Sequence, residues 1–136
     1  MKMCNYEVQE LVDFLMEISL VGKKSRLRIK FCKIAFQRLE ELEEDKRRLI
    51  DDFCEKDENG KPKTVEEGNN KYIKLRDEES YKREYMELMN EEFIIEETNE
   101  RKEMFDLIRD LILNTETEFN GNTALLHDRW CEIVES

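Results

Sequence analysis

Apolar residues recur along this chain at helical spacing. The longest series, Arg28, Cys32, Ala35, Leu39, Leu42, Lys46, Leu49 and Phe53, alternates steps of four and three. Such a stripe predicts a coiled-coil seam on a long helix, from about residue 25 to 54, that needs a partner helix. Ahead of it, Val8, Leu11, Val12, Leu15 and Ile18 share one face of a shorter helix, with Asn5 as N-cap and Gly22 as stop. Ser25 is placed to cap the long helix, and the two helices form a hairpin. Between Leu27 and Phe36 apolar residues occupy more than one face, so that half is surrounded by protein; from Leu39 onward the apolar face narrows to the seam.

The segment Lys56 to Asn70 breaks the pattern with Gly60, Pro62 and Gly68, and Asn59-Gly60 is the preferred dipeptide of a two-residue hairpin turn. A helix from about Asp77 to Asn90, carrying Tyr81, Tyr85, Leu88 and Met89, returns along the long one. Met104, Phe105, Leu107, Ile108, Leu111 and Ile112 mark another helix, and Leu126, Trp130 and Ile133 a last one capped at Thr123. The β-prone runs Phe93 to Glu96 and Thr115 to Phe119 predict a small β element in the C-terminal half. The expected fold is mainly α, a helical hairpin or coiled coil built on the long helix. It forms one domain over 1–136: a hairpin at 1–54, a turn and loop at 55–75, and a return helix with a C-terminal helical subdomain at 76–136.

Composition sharpens this picture. Charged residues make up 42% of the chain against about a quarter in an average domain. An elongated helical shape therefore fits better than a thick globule, and one proline with four glycines argues against a many-stranded sandwich. Phe31, Phe36, Phe53, Phe93, Phe105, Phe119 and Trp130 supply anchors that a disordered chain lacks.

The net charge of −11 hides a local reversal. Lys23, Lys24, Arg26, Arg28, Lys30, Lys33 and Arg38 fall in a stretch without acidic residues, whereas Glu40 to Glu58 is strongly acidic. Two long helices laid antiparallel would pair unlike ends, which favours a homodimer. Arg26, Lys30 and Lys33 share a face that suits a phosphate backbone, but repulsion from the acidic remainder opposes direct nucleic-acid binding. Conversely, Glu40, Glu41, Glu44 and Asp45 with Glu84, Glu87, Glu91 and Glu92 form an acidic face able to imitate a nucleic-acid backbone and occupy a partner's basic groove. The alternative is a face that serves only solubility.

Chemistry-bearing constellations are sparse. Glu55, Asp57, Asn59, Gly60 and Glu66 fall at positions 1, 3, 5, 6 and 12 of a calcium loop, but Glu55 is long for its place, Pro62 interrupts the pattern, and a polar hairpin turn explains the same residues. His127 and Cys131 share a helical face as two zinc ligands do, and two ligands do not close a site. The single histidine has no nucleophile partner and no glycine loop cradles phosphate, so no enzyme activity and no cofactor are expected. No run reaches the roughly 18 apolar residues of a membrane span. Met1 to Tyr6 lacks the basic segment of a signal peptide, and Cys4, Cys32, Cys54 and Cys131 show no framework spacing. Reduced thiols in a cytoplasm are the expectation.

The amphipathic first helix, the Lys/Glu-rich long helix and the KDENGKP break at Lys56 to Pro62 together resemble, over about residues 8 to 96, a family of short uncharacterised proteins. These are encoded by tailed bacteriophages and prophages of low-GC Gram-positive bacteria. The resemblance implies a phage origin and assigns no activity. With such an origin, the expected function is a non-enzymatic protein-binding module. It would be an acidic inhibitor of a host protein such as a nucleic-acid-guided defence nuclease, acting in the bacterial cytoplasm in the manner of an anti-CRISPR. The alternative is a tail or capsid morphogenesis accessory, or an oligomeric structural protein held by the seam.

Overall fold

The stripe Val8, Leu11, Val12 and Leu15 folds as helix α1 (Val8–Glu17), all four side chains buried. A computed structural model describes residues 1–136 and is mainly helical, with two small antiparallel sheets. After α1 come α2 (Gly22–Phe53), α3 (Glu78–Asn90), α4 (Lys102–Leu113) and α5 (Gly121–Glu135). The strands are β1 (Lys2–Cys4), β2 (Thr64–Glu67), β3 (Asn70–Ile73) and β4 (Glu92–Ile94). No helix is long and apolar enough to cross a membrane.

Two compact units make up the chain: Met1–Leu39 with Glu92–Ser136, and Glu40–Glu91. The long helix contributes to both. In the first unit, β1 pairs with β4, Met3 opposite Phe93, and the core gathers Leu11, Leu15, Phe31, Phe105, Ile108 and Ile133. An edge-on contact between Phe31 and Phe105, 6.2 Å between centroids, joins α2 to α4. The seam stripe lies on the covered face of α2: Arg28, Cys32, Ala35 and Leu42 are buried and Leu39, Lys46, Leu49 and Phe53 half-buried.

Several boundaries differ from expectation, each for a local reason. Gly22 does not stop α1, which ends five residues earlier; with φ +62° it opens α2 instead, three residues before Ser25. Asn5 does not cap α1 but sits in a 3₁₀ turn, Asn5–Glu7, where its side-chain oxygen accepts from Arg38 Nε at 2.9 Å. Thr115 to Phe119 is not a strand. Thr115 Oγ1 accepts from Thr117 N, a local turn bond, and Phe119 is drawn into ring contacts with Phe14 and His127. The strand partner of β4 is β1 at the other end of the chain.

The segment expected as turn and loop at 55–75 contains two hairpin turns and a short two-stranded sheet. Asn59-Gly60 lies in a three-residue loop between Asp57 and Lys61, with Gly60 at φ +75° and Asp57 N donating to Lys61 O at 2.8 Å. The second hairpin, β2 to β3, turns through Gly68-Asn69, Gly68 taking the positive φ that the first loop position of a type II′ turn demands.

Helix ends explain much of the remaining architecture. No α-helix carries a basic residue in its own last turn where one would complement the dipole, and none ends on a glycine. Donors from other elements do that work. Arg28 donates from Nη1 to Leu15 O at 2.9 Å and to Ile18 O, closing α1. Arg76 donates to Asp52 O at 2.8 Å at the end of α2, His127 Nε2 to Ile112 O at 2.8 Å at the end of α4, and Arg109 Nε to Val134 O at 2.9 Å at the end of α5. Arg28 is only 7% exposed and its Nε has no partner, so its position is set by the two carbonyls.

Two ion pairs pin the first unit. Glu7, 6% exposed, accepts Arg129 Nε at 2.8 Å and Nη2 at 3.2 Å, and also Cys4 N at 3.1 Å. Burial alone would raise its carboxyl, but the Arg129 and Cys4 hydrogen bonds outweigh it and hold the group below the usual carboxylate range. Glu97 is likewise lowered, chiefly by its hydrogen bond from Arg109.

Replacing Arg28 by Met removes two charge-assisted hydrogen bonds and is expected to cost about 2–3 kcal/mol, after allowance for the unpaired Nε that also disappears. Urea denaturation checks this, and an unchanged midpoint would show that the cap is dispensable. Because Glu7 and Glu97 have depressed folded-state pKa values, the stability they contribute is present above the unfolded value, about 4.3, and is lost as pH falls through the folded values. Denaturation midpoints should therefore fall between pH ~5 and ~2. Glu7→Gln should be less stable than wild type at neutral pH and fall less steeply in acid; parallel pH profiles for the two chains would remove Glu7 from the explanation.

Candidate functional site

Helix α3 begins where Asp77 accepts from Ser80 N at 3.1 Å and from Ser80 Oγ at 2.6 Å, with Glu78 and Glu79 favourably placed in the first turn. Starting there, the helix carries Tyr81, Tyr85 and Leu88 half-buried on one side. The Tyr81 and Tyr85 rings stack at 6.0 Å, and Lys46 of α2 lies 5.8 Å from the centroid of Tyr85 while pairing with Glu43 at 3.2 Å. The charged seam residue is thus satisfied by an aromatic face and a carboxylate.

Beside this contact, α2 and α3 bound an open cleft of about 340 Å³ lined by Asp45, Arg48, Leu49, Glu84, Glu87, Leu88 and Glu91. Four carboxylates face one guanidinium, and Arg48 is itself engaged with Asp45 at 3.7 Å. Glu84, Glu87 and Glu91 recur at helical spacing over the last two turns of α3 and its C-cap, toward the end where the helix dipole is already negative. Like charges so placed destabilise a helix by a few tenths of a kcal/mol per pair. The arrangement raises the negative potential of the cleft.

Of the eight acidic residues expected to form one face, the structure brings Asp45, Glu84, Glu87 and Glu91 together around this cleft. Glu40, Glu41 and Glu44 are exposed on α2 outside it. Glu92 belongs to β4, opposite Cys4, in the other unit. Within the Glu40–Glu91 unit, 18 acidic residues stand against 11 basic ones.

The other sequence candidates resolve into structural roles. Asp57 Oδ1 accepts from Asn59 N and Lys61 N, each at 2.9 Å, as a hairpin turn requires. No group of three or more His, Cys, Asp or Glu side chains converges as metal ligands would. His127 Nε2 faces a carbonyl, so that nitrogen carries the hydrogen and is not available as a base toward Cys131 Sγ, 3.5 Å away. Burial first, then Glu135 and Asp128, push the Cys131 thiol up, and burial pushes Cys32 up to about 11 against the opposing charge of Arg28. All four cysteines are free thiols.

The basic stretch is divided. Arg28 and Arg38 turn to internal acceptors, Lys23 pairs with Glu103 at 2.7 Å, and Arg26, Lys30 and Lys33 stay exposed.

Sequence reasoning missed the β2–β3 hairpin, which exposes Val65, Tyr72 and Ile73 at 41%, 52% and 41%. The signal was present as two short β-branched or aromatic runs flanking Gly68-Asn69. Comparisons with protein-family models, with curated proteins and with solved structures returned no match.

Glu84→Gln with Glu87→Gln is expected to leave the fold intact and raise stability by about 0.5 kcal/mol, since only like-charge repulsion is relieved. Thermal melting of the double variant checks this; a marked loss of stability would make the cleft a structural element and not a surface held ready for a partner.

Proposed function

We propose that this protein is a non-enzymatic binding module whose acidic helical cleft occupies a basic groove of a partner protein. It would act as an inhibitor of a host protein such as a nucleic-acid-guided defence nuclease during phage infection. The observation that carries the reading is the convergence of Asp45, Glu84, Glu87 and Glu91 on one cleft at the negative end of α3. Carboxylates at helical spacing offer a basic groove a row of negative charge, which steers encounter and sets specificity. Leu49 and Leu88 within the cleft supply the apolar contact that fixes a partner once steered. The phage origin rests on the sequence resemblance over residues 8 to 96, and the cytoplasm of the infected bacterium is the compartment that goes with it.

A second reading draws on the half-burial of Leu49 and Phe53 at the end of the seam, which leaves apolar surface for a helix of another copy. On that reading the protein is a morphogenesis accessory or oligomeric structural protein, and the seam becomes an intermolecular coiled coil.

The experiment that separates them is affinity capture with the tagged protein from lysate of a low-GC Gram-positive host, washed at low and high salt. Direct titration of whatever is retained follows. A stoichiometric complex with one nucleic-acid-processing protein, weakened by salt and by Glu84→Gln with Glu87→Gln, is the expected outcome. Recovery of only the bait or of virion proteins would transfer the assignment to the assembly role.

A further inference from the structure

The first unit holds a separate cleft of about 330 Å³ whose floor is three aromatic rings, Phe14, Phe119 and Trp130, with Leu126 beside them. The Phe14 ring stacks on Trp130 at 4.8 Å and 28°, and Phe119 leans on Phe14 at 5.8 Å. His127 covers Phe119 at 4.3 Å with the planes 9° apart, and is itself fixed by its bond to Ile112 O. The rings are therefore held in place before any ligand arrives, which reduces the ordering cost of binding.

The charged residues of the rim are all acidic, with Thr117 and Thr123 as its neutral polar members. Glu10, Asp13 and Glu17 project from α1 at helical spacing on either side of Phe14, and Glu118 comes from the connector that precedes α5. No lysine or arginine lines the cleft, and Glu10, Glu17 and Glu118 form no ion pair within the chain. The carboxylates that the fold does use in this unit are buried or bridged, as Glu7 is by Arg129 and Glu97 by Arg109; those of the cleft are exposed. Here exposed carboxylates border the partly exposed rings of Phe14 and Phe119, and aromatic rings also attract cations.

That combination selects a ligand class. An anion is repelled, and a neutral apolar molecule leaves the carboxylates unanswered. A metal ion lacks three converging ligands. We propose that the cleft binds an organic cation, a guanidinium or alkylammonium group on an apolar stem, the stem lying on the rings and the charge among the rim carboxylates. The source is either a free amine or the side chain of a basic partner. No residue is shared with the α2–α3 cleft, so the inference stands apart from the proposed function.

Trp130 is the single tryptophan of the chain, so its fluorescence reports this cleft alone. The full-length protein is titrated with agmatine, with acetyl-arginine-amide, and with acetyl-citrulline-amide as the uncharged isostere. A saturable change in Trp130 emission is expected with the two cations and not with the citrulline compound. Glu17→Gln with Glu118→Gln should weaken the response about tenfold or more, the equivalent of one charge-assisted contact. Tighter binding of agmatine assigns a free amine, and tighter binding of acetyl-arginine-amide assigns a partner's side chain. Absence of saturation with both cations, or an equal response to the citrulline compound, overturns the proposal. Should the double variant fail to fold, the comparison of cation and isostere on the wild-type chain decides alone.

Discussion

The final carbonyls of a helix point away from any donor in that helix, and in α1 they are met by the buried guanidinium of Arg28, thirteen residues beyond Leu15. That contact fixes where the short link after Glu17 lets α2 begin and which face of α2 turns inward. Phe31, Cys32 and Ala35 then follow into the core within two turns. The same solution recurs with Arg76, His127 and Arg109 at the ends of α2, α4 and α5. Each helix so capped depends on an element distant in sequence. Opening one element therefore uncaps another, and the helices are coupled through their ends as well as through their apolar faces.

This device marks the limit of what could be read from the sequence. The apolar stripes of α1, α2 and α4 were legible because burial imposes a period of 3.6, and the residues that carry them are buried or half-buried. Arg28 and Lys46 fit the same stripe, and the period alone cannot say that one closes a neighbouring helix while the other lies on Tyr85. The pairing of β1 with β4 was hidden because the partners are some ninety residues apart and each strand is three residues long. Residues 64–73 were hidden for the opposite reason. Both strands are exposed on both faces, so no alternation of apolar and polar residues announces them. Half of the acidic face was legible because helical spacing places Glu84, Glu87 and Glu91 together, and the meeting with Asp45 followed once α3 returned beside α2.

Charge and core are distributed unequally. In the Glu40–Glu91 unit only Leu42 and Cys54 are fully buried hydrophobic residues, whereas the first unit holds nearly all the large ones. Carboxylates are accumulated at the C-terminal end of α3, where they weaken the helix, in the unit with the least apolar burial to spare. The two units thus divide the work: one carries the core and the other most of the concentrated negative charge. The aromatic cleft of the first unit shows the same juxtaposition at smaller scale, its rings packed in the manner of a core and bordered by exposed carboxylates.

The β2–β3 hairpin has a practical meaning for anyone handling the molecule. Its two strands hydrogen-bond to each other, a side chain added at Gly68 would meet open space, and every residue from Lys56 to Lys74 is exposed. Chain can be added at such a point without exposing a core or stranding a polar group. The tip is accordingly the place in this sequence to insert a fluorophore, an epitope or a tethering loop, leaving both clefts and every helix cap as they are.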